Sequence, residues 1–298
     1  MTDPSRAAAR RAKLLADIDL SAALGLEIGA LDRPTVAPGE GNIRFADYRD
    51  ATALRRAYAD DPTVDPQRIV AVDFVLGERT IGEAMPSDLR FDYVVACHVI
   101  EHVPDVVGWL QEIGRLLSPG GRLCLAIPDK RYSFDHLGSV STVGDFLDAY
   151  LNRRRAPTVK QLYDFLRTAA HVNPARAWLG LIDPRRLTRW TTAEAALQAC
   201  RDLIAGRATE AHCFLFTPRS FLALFDELVI LGLTDFRIAR FWDTAPFELE
   251  FFVVLEKLER ADPASQRASI PRLRAHAPLH RLLGSFVVRI LRRLRRRR

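Results

Sequence analysis

Five short apolar runs recur through the first 130 residues, at 24–30, 42–48, 68–75, 91–97 and 122–128, and polar or helically spaced stretches separate them. Each run is of strand length, and most are nearly continuous in apolar residues, as expected of strands buried on both faces. Strands alternating with helices favour a doubly wound parallel sheet, whose ligands sit beyond the carboxyl ends of the strands. The strongest break falls at Ser118-Pro-Gly-Gly121, which ends the helical stretch 109–117 and turns into the fifth run.

The remaining chain divides by pattern. An amphipathic helix is expected over residues 5–23 and another near 50–59. From 136 to 212 the spacing is mostly helical and Arg-rich, which reads as an inserted cap. A helix over 218–230, with Thr217 as its N-cap and Pro218 at its first position, leads to late strands at 235–241 and 248–255 that would close the sheet as an antiparallel pair. Residues 261–270 read as a linker. The expected units are therefore 1–135 (core), 136–212 (helical cap), 213–260 (completion of the sheet) and 261–298 (linker and basic tail).

Charge is distributed unevenly. Eleven arginines and no acidic residue follow Asp262, so the net +6 of the whole chain becomes −5 over residues 1–262. The basicity belongs to the tail, which argues against nucleic acid as the partner of the body. In that tail Leu279, Leu282, Leu283, Phe286, Val287, Ile290, Leu291 and Leu294 follow helical spacing with arginines on the flanks. A basic amphipathic helix of this kind suits an anionic membrane surface, and docking on its own domain or a partner is the alternative. The N-terminus lacks an apolar signal core and no eighteen-residue apolar run occurs, so a cytoplasmic chain, peripheral at the inner membrane face, is expected. Cys97, Cys124, Cys200 and Cys213 form no CxxC pair, and neither disulfide nor zinc is expected.

The segment Phe91-Asp-Tyr-Val-Val-Ala-Cys-His-Val-Ile-Glu-His-Val-Pro-Asp105, with Leu117-Ser-Pro-Gly-Gly-Arg-Leu-Cys-Leu-Ala-Ile-Pro128, resembles the class I S-adenosylmethionine-dependent methyltransferases. The likeness is to the branch whose fourth strand runs into a His-x-x-Glu-His turn, and in particular to bacterial methyltransferase-domain proteins of the surface-polysaccharide type. It covers roughly residues 22–135. It implies a Rossmann-like, mostly parallel seven-stranded sheet and S-adenosyl-L-methionine as cofactor. It further implies that Glu27 and Gly29 approach the methionine end and that Asp47 or a neighbour bonds the ribose. Asp73 and Phe74 would flank the adenine, and Cys97 and His98 would line the wall nearest the sulfonium. Where the family usually has a Gly-rich turn, this chain has the single Gly29. A cofactor without a pyrophosphate can be approached with one glycine, whereas a nicotinamide dinucleotide needs the fuller turn.

The acceptor side is read from residues 127–136. Methyl transfer to a hydroxyl needs a base, and Asp129, His136 and His212 are the candidates, with Lys130, Arg131 and Tyr132 as acceptor-binding groups. His98, Glu101 and His102 lie in one turn without a distant third ligand, so no metal is expected there. The expected activity is methylation of a hydroxyl, or secondarily an amine, of a small or glycan-like acceptor. The competing expectations are a methyltransferase-like scaffold without catalysis and a nucleic-acid methyltransferase. The latter lacks the Asn/Asp-Pro-Pro-aromatic sequence of base-amino methylation.

Overall fold

A computed structural model describes residues 4–207 and 209–273. The first half runs α1 (Pro4–Leu14), β1 (Leu24–Ile28), β2 (Asn42–Asp47), α2 (Ala51–Ala57), β3 (Phe74–Val75), α3 (Ile81–Ala84), β4 (Phe91–Cys97), α4 (Val106–Leu116) and β5 (Leu117–Pro128). Four helices follow: α5 (Val143–Leu151), α6 (Val159–Thr168), α7 (Pro174–Trp178) and α8 (Ala193–Ile204). Then come α9 (Pro218–Ile230), β6 (Phe236–Trp242), β7 (Glu250–Lys257) and α10 (Pro263–Ala268).

The seven strands form one sheet in the order β3-β2-β1-β4-β5-β7-β6. β7 runs antiparallel to both neighbours and every other pairing is parallel. The chain order reverses between β1 and β4, which creates a crevice at their carboxyl ends. Side chains two apart share a face of a strand, and both faces are dry. Val94, Ala96, Leu123, Leu125, Val253 and Leu255 pack on one side with α4 and α9. Tyr93, Val95, Cys124, Ala126, Phe252 and Val254 pack on the other with Leu14 of α1. This two-sided burial explains why the strands read as apolar runs.

Several boundaries differ from the sequence reading. α1 stops at Leu14 rather than near 23, because Asp17 adopts a positive φ of 64° and its carboxylate is drawn to Arg240 and Arg122. Of the run 68–75 only Phe74–Val75 pairs with β2, since the Asp73 carboxylate takes the Phe45 N–H (2.8 Å) that a longer ladder would use. Residues 118–121 leave the ladder between the pairs Phe91–Leu117 and Tyr93–Arg122, with Gly120 at φ 75° making the turn. The stretch 261–270 is not a plain linker. It carries α10, whose buried Gln266 donates to the carbonyls of Thr234 (2.9 Å) and Phe236 (2.8 Å). At α9 the Thr217 cap forms as the sequence suggests, accepting from Ser220 N. No helix among the described residues is long and apolar enough to cross a membrane. The tail from 274 onward lies outside the described residues.

Candidate active site

The crevice begins where β1 ends. Gly29 has φ +68°, and a Cβ there would lie 3.2 Å from Val99 Cγ2. The left-handed backbone and the close approach both favour glycine. Glu27, 2% exposed, accepts from Thr35 N (2.7 and 2.9 Å) and Val36 N (3.2 Å), so it fastens the loop after β1. At the end of β2, Asp47 accepts from Tyr48 N (2.7 Å). Burial, reinforced by the charge of Glu210, pushes the Asp47 carboxyl up to about 6. Gly29, Asp47, Leu76, His98 and Val103 line a cavity of about 870 Å³ at this crevice, within the size range of small-molecule sites.

β4 supplies the next wall. His98, at φ 55°, donates its N–H to Ala126 O (2.9 Å) and shares a 2.7 Å bond from Nε2 to Glu250 Oε2. Arg10 of α1 grips the same carboxylate through Nε (3.0 Å) and a terminal nitrogen (2.8 Å). Burial works against a charged His98, but the bond to Glu250 and the charges of Glu101 and Glu250 outweigh it and raise its pKa. Burial likewise works against the Glu250 carboxylate, and His98 with Arg10 outweighs it and lowers the pKa. Replacing Glu250 with Gln is expected to destabilise the fold by roughly 2 kcal/mol, less than for a fully buried pair because Arg10 is partly exposed. The raised His98 contributes fully below its ordinary 6.5 and fades as pH rises through its folded value. The lowered Glu250 contributes above its ordinary 4.5 and fades as pH falls through its own. The wild-type advantage in denaturant unfolding should therefore peak between those pH values.

The turn after β4 meets a segment more than a hundred residues away. The Glu101 carbonyl accepts from Cys213 N (2.6 Å) and Phe214 N (3.2 Å), which brings His212 against His102 with ring centroids 4.5 Å apart. His212 Nδ1 bonds Asp135 Oδ2 at 2.8 Å, with both residues buried. Phe134 and Phe165 flank the His212 ring. His212 borders a second cavity of about 800 Å³, lined also by Tyr132, Phe134, His171 and Trp190. Tyr58, His98, His102 and Glu210 line both cavities. The turn alone has no third distant ligand, but the fold supplies one in His212. Ligand atoms of Glu101, His102 and His212 all lie within 4.8 Å of one another.

Residues 1–228 match the family model described as a methyltransferase domain. The chain belongs to the methyltransferase-domain family. Its methyl donor is S-adenosyl-L-methionine. No curated protein matches the chain. One similar solved structure, from Rhodobacter sphaeroides and described as a zinc-dependent alcohol dehydrogenase, is 15% identical with a TM-score of 0.47, over 84% of this chain and 89% of that one. An S-adenosylmethionine-dependent methyltransferase of Mesorhizobium loti is 15% identical (TM-score 0.42), over 84% of this chain and 96% of that one. Another from Clostridium acetobutylicum is 9% identical (TM-score 0.43), over 86% and 93%. These structural likenesses are too low to carry an argument, and the family assignment rests on the domain match.

The methyltransferase places its other predicted residues unequally. Cys97 belongs to the core on the face opposite α4, with Sγ 3.6 Å from Thr35 Oγ1, and burial pushes its thiol up to about 12. Asp73 and Phe74 do not border the first cavity. Asp129 is fully buried, where it takes Arg131 Nε (2.9 Å) and the Thr244 hydroxyl (2.8 Å). His136 Nδ1 bonds Arg131 O at 2.7 Å. Neither Asp129 nor His136 borders either of these two cavities, whereas His212 borders the second. Among the acceptor-side residues, Tyr132 faces the second cavity and stacks on Trp178 at 4.1 Å, and Lys130 donates to His136 O (3.0 Å). Asp135, Glu250, Arg10 and Trp190 were not singled out from sequence. Asp135 and Glu250 bond partners 77 and 152 residues distant, with no local pattern to announce it.

Proposed function

We propose that the enzyme methylates a hydroxyl group of a small or glycan-like acceptor, with the donor held in the crevice between β1 and β4 and the acceptor in the aromatic cavity beside it. The observation that carries this reading is the common wall of the two cavities, formed by His98, His102 and Glu210. The residues suit the donor. Gly29 leaves room for the methionine end, Asp47 is placed to accept from ribose hydroxyls, and Leu76 and Val103 offer apolar surface to the adenine. When bound, S-adenosyl-L-methionine supplies an electrophilic methyl group on a sulfonium. Tyr132 and Trp190 offer ring faces to an acceptor such as a sugar, and His212 stands nearest to activate its hydroxyl. The test is a panel of hydroxylated and aminated acceptors incubated with enzyme and donor. A mass gain of one methyl group, on oxygen, supports the reading, whereas methylation of amines alone contradicts it.

The Asp47 role predicts a pH dependence. Accepting from hydroxyls favours the ionised carboxylate, so S-adenosylhomocysteine affinity should fall as pH drops through about 6, by up to roughly tenfold per unit. Calorimetry across pH 5 to 8 checks it, and Asp47→Asn should bind weakly with a flat profile.

The proposal extends to the tail on its sequence pattern. The apolar positions from Leu279 to Leu294, with their flanking arginines, support reversible contact with an anionic membrane, each surface-bound Arg contributing on the order of 1 kcal/mol. The full-length chain should sediment with anionic liposomes and release at high salt, while a chain ending at Leu273, which keeps α10 and its buried Gln266, should not sediment. Equal partition of both chains would exclude the contact.

A further inference from the structure

We propose that Glu101, His102 and His212 bind a divalent first-row transition cation at the wall between the two cavities. The inference rests on the reading that the acceptor meets the donor at this wall, and it names how the acceptor's oxygen is held there.

Glu101 is the residue most in need of explanation. It is 1% exposed, yet neither carboxylate oxygen has a hydrogen-bond partner. Its nearest cationic neighbour, His98 Nδ1, stands 3.7 Å from Oε1, beyond hydrogen-bond reach. Buried carboxylates in folded proteins are paired, hydrogen-bonded or bound to metal. Glu101 makes no hydrogen bond, and its ion pair with His98 is a long one that leaves both oxygens without a donor. One of its oxygens shares a small volume with one ring nitrogen each from His102 and His212, all within 4.8 Å. Metal bonds of about 2.0–2.2 Å require only small side-chain rotations from that span.

His212 is prepared for the same task. The 2.8 Å bond from Nδ1 to Asp135 places the ring proton there and leaves the Nε2 lone pair free. A carboxylate behind a histidine is the usual support of a metal ligand, fixing its tautomer and orientation. Asp135 is itself held by the Ser133 hydroxyl (3.2 Å) and is 1% exposed. The Asp135–His212 pair acting as a simple base would account for His212 alone. It would leave Glu101 buried and unanswered beside it, and a cation accounts for both.

Two imidazoles and one carboxylate suit Zn²⁺, Mn²⁺ or Fe²⁺ better than Mg²⁺ or Ca²⁺, which prefer oxygen ligands throughout. Three protein ligands leave coordination positions open. His212 and His102 both border the aromatic cavity, so an acceptor oxygen entering there can complete the sphere. That favours hydroxyl over amine acceptors and gives the hydroxyl a Lewis acid that lowers its pKa.

The experiment uses the untagged full-length protein, stripped with chelator and titrated with Zn²⁺ or Mn²⁺ by calorimetry. The visible spectrum of Co²⁺ serves as a second, spectroscopic readout. One cation per chain is expected. Asp135→Asn should weaken it by roughly 10- to 100-fold, and Glu101→Gln and His212→Gln should abolish it. All three variants should bind S-adenosylhomocysteine as the wild type does, which shows that the fold and the donor cavity survive. No stoichiometric cation in a wild-type protein that binds S-adenosylhomocysteine would overturn the proposal, as would undiminished binding by folded Glu101→Gln. The titration needs neither acceptor nor turnover, so its failure would leave the methyl-transfer reading standing.

Discussion

His212→Ala is expected to lower kcat by roughly 10²- to 10⁴-fold, the range attributed to a positioned acid–base group, while leaving S-adenosylhomocysteine affinity unchanged. Of the three candidate bases, His212 alone borders either of the two described cavities. Its Nδ1 is engaged by Asp135, so its free nitrogen Nε2 is the one available for chemistry. Acting as base or through a bound cation, the ring is needed for activation of the acceptor and not for holding the donor. The comparison variants sharpen the test. His136→Ala should retain most of kcat, because its ring is occupied with the Arg131 carbonyl and borders neither cavity. Asp129→Ala should act on stability, since it strips a fully buried carboxylate from Arg131 and Thr244; because Arg131 is partly exposed, the cost should fall below the roughly 3–5 kcal/mol of a fully buried pair. A folded His212→Ala enzyme with wild-type kcat would remove His212 from the chemistry.

Gly29→Val is expected to reduce S-adenosylhomocysteine affinity by at least about 100-fold. Two effects act together. The first is backbone strain: a residue with a Cβ in the left-handed region is disfavoured by roughly 1–2 kcal/mol, and a β-branched side chain fares worse at φ +68°. Relief of that strain moves the peptide at the floor of the crevice. The second is steric, because the first added carbon already sits 3.2 Å from Val99 Cγ2 and the valine methyls extend further into the cavity Gly29 lines. Each 1.4 kcal/mol is tenfold in affinity, so modest strain plus lost space reaches the expected size. Gly29→Ala should fall between the two. Thermal unfolding of each variant separates loss of the cavity from loss of the fold.

The sheet was largely legible because its strands are buried on both faces and stand out as apolar runs. β4 falls on the run 91–97 as the sequence marks it, and the late strands pair antiparallel as expected. β3 was overestimated because local pattern does not reveal that the Asp73 side chain replaces part of a ladder. Residues 261–270 lack periodicity, yet the burial of one residue, Gln266, docks them as α10. The donor crevice was legible in part. Gly29, Asp47 and His98 sit where strand ends suggest, whereas Cys97 turns to the opposite core and Glu27 binds its own loop. The acceptor side was harder. A polar loop after a strand shows which residues are available, but not that Asp129 is sealed beneath Thr244 and Arg131. The Glu101–His102 turn is visible in sequence. Its meeting with His212 depends on the backbone bonds from Cys213 and Phe214 to the Glu101 carbonyl, which no spacing encodes.

The donor is expected in the crevice between β1 and β4 with its reactive end toward His102 and His212. A crystal structure of the full-length protein with S-adenosylhomocysteine tests this most directly. The ribose hydroxyls are expected on Asp47, the amino-acid end over Gly29, and the sulfur on the side of the cavity shared with His98 and His102. A ligand bound outside this crevice, or one whose sulfur faces away from the aromatic cavity, would contradict it.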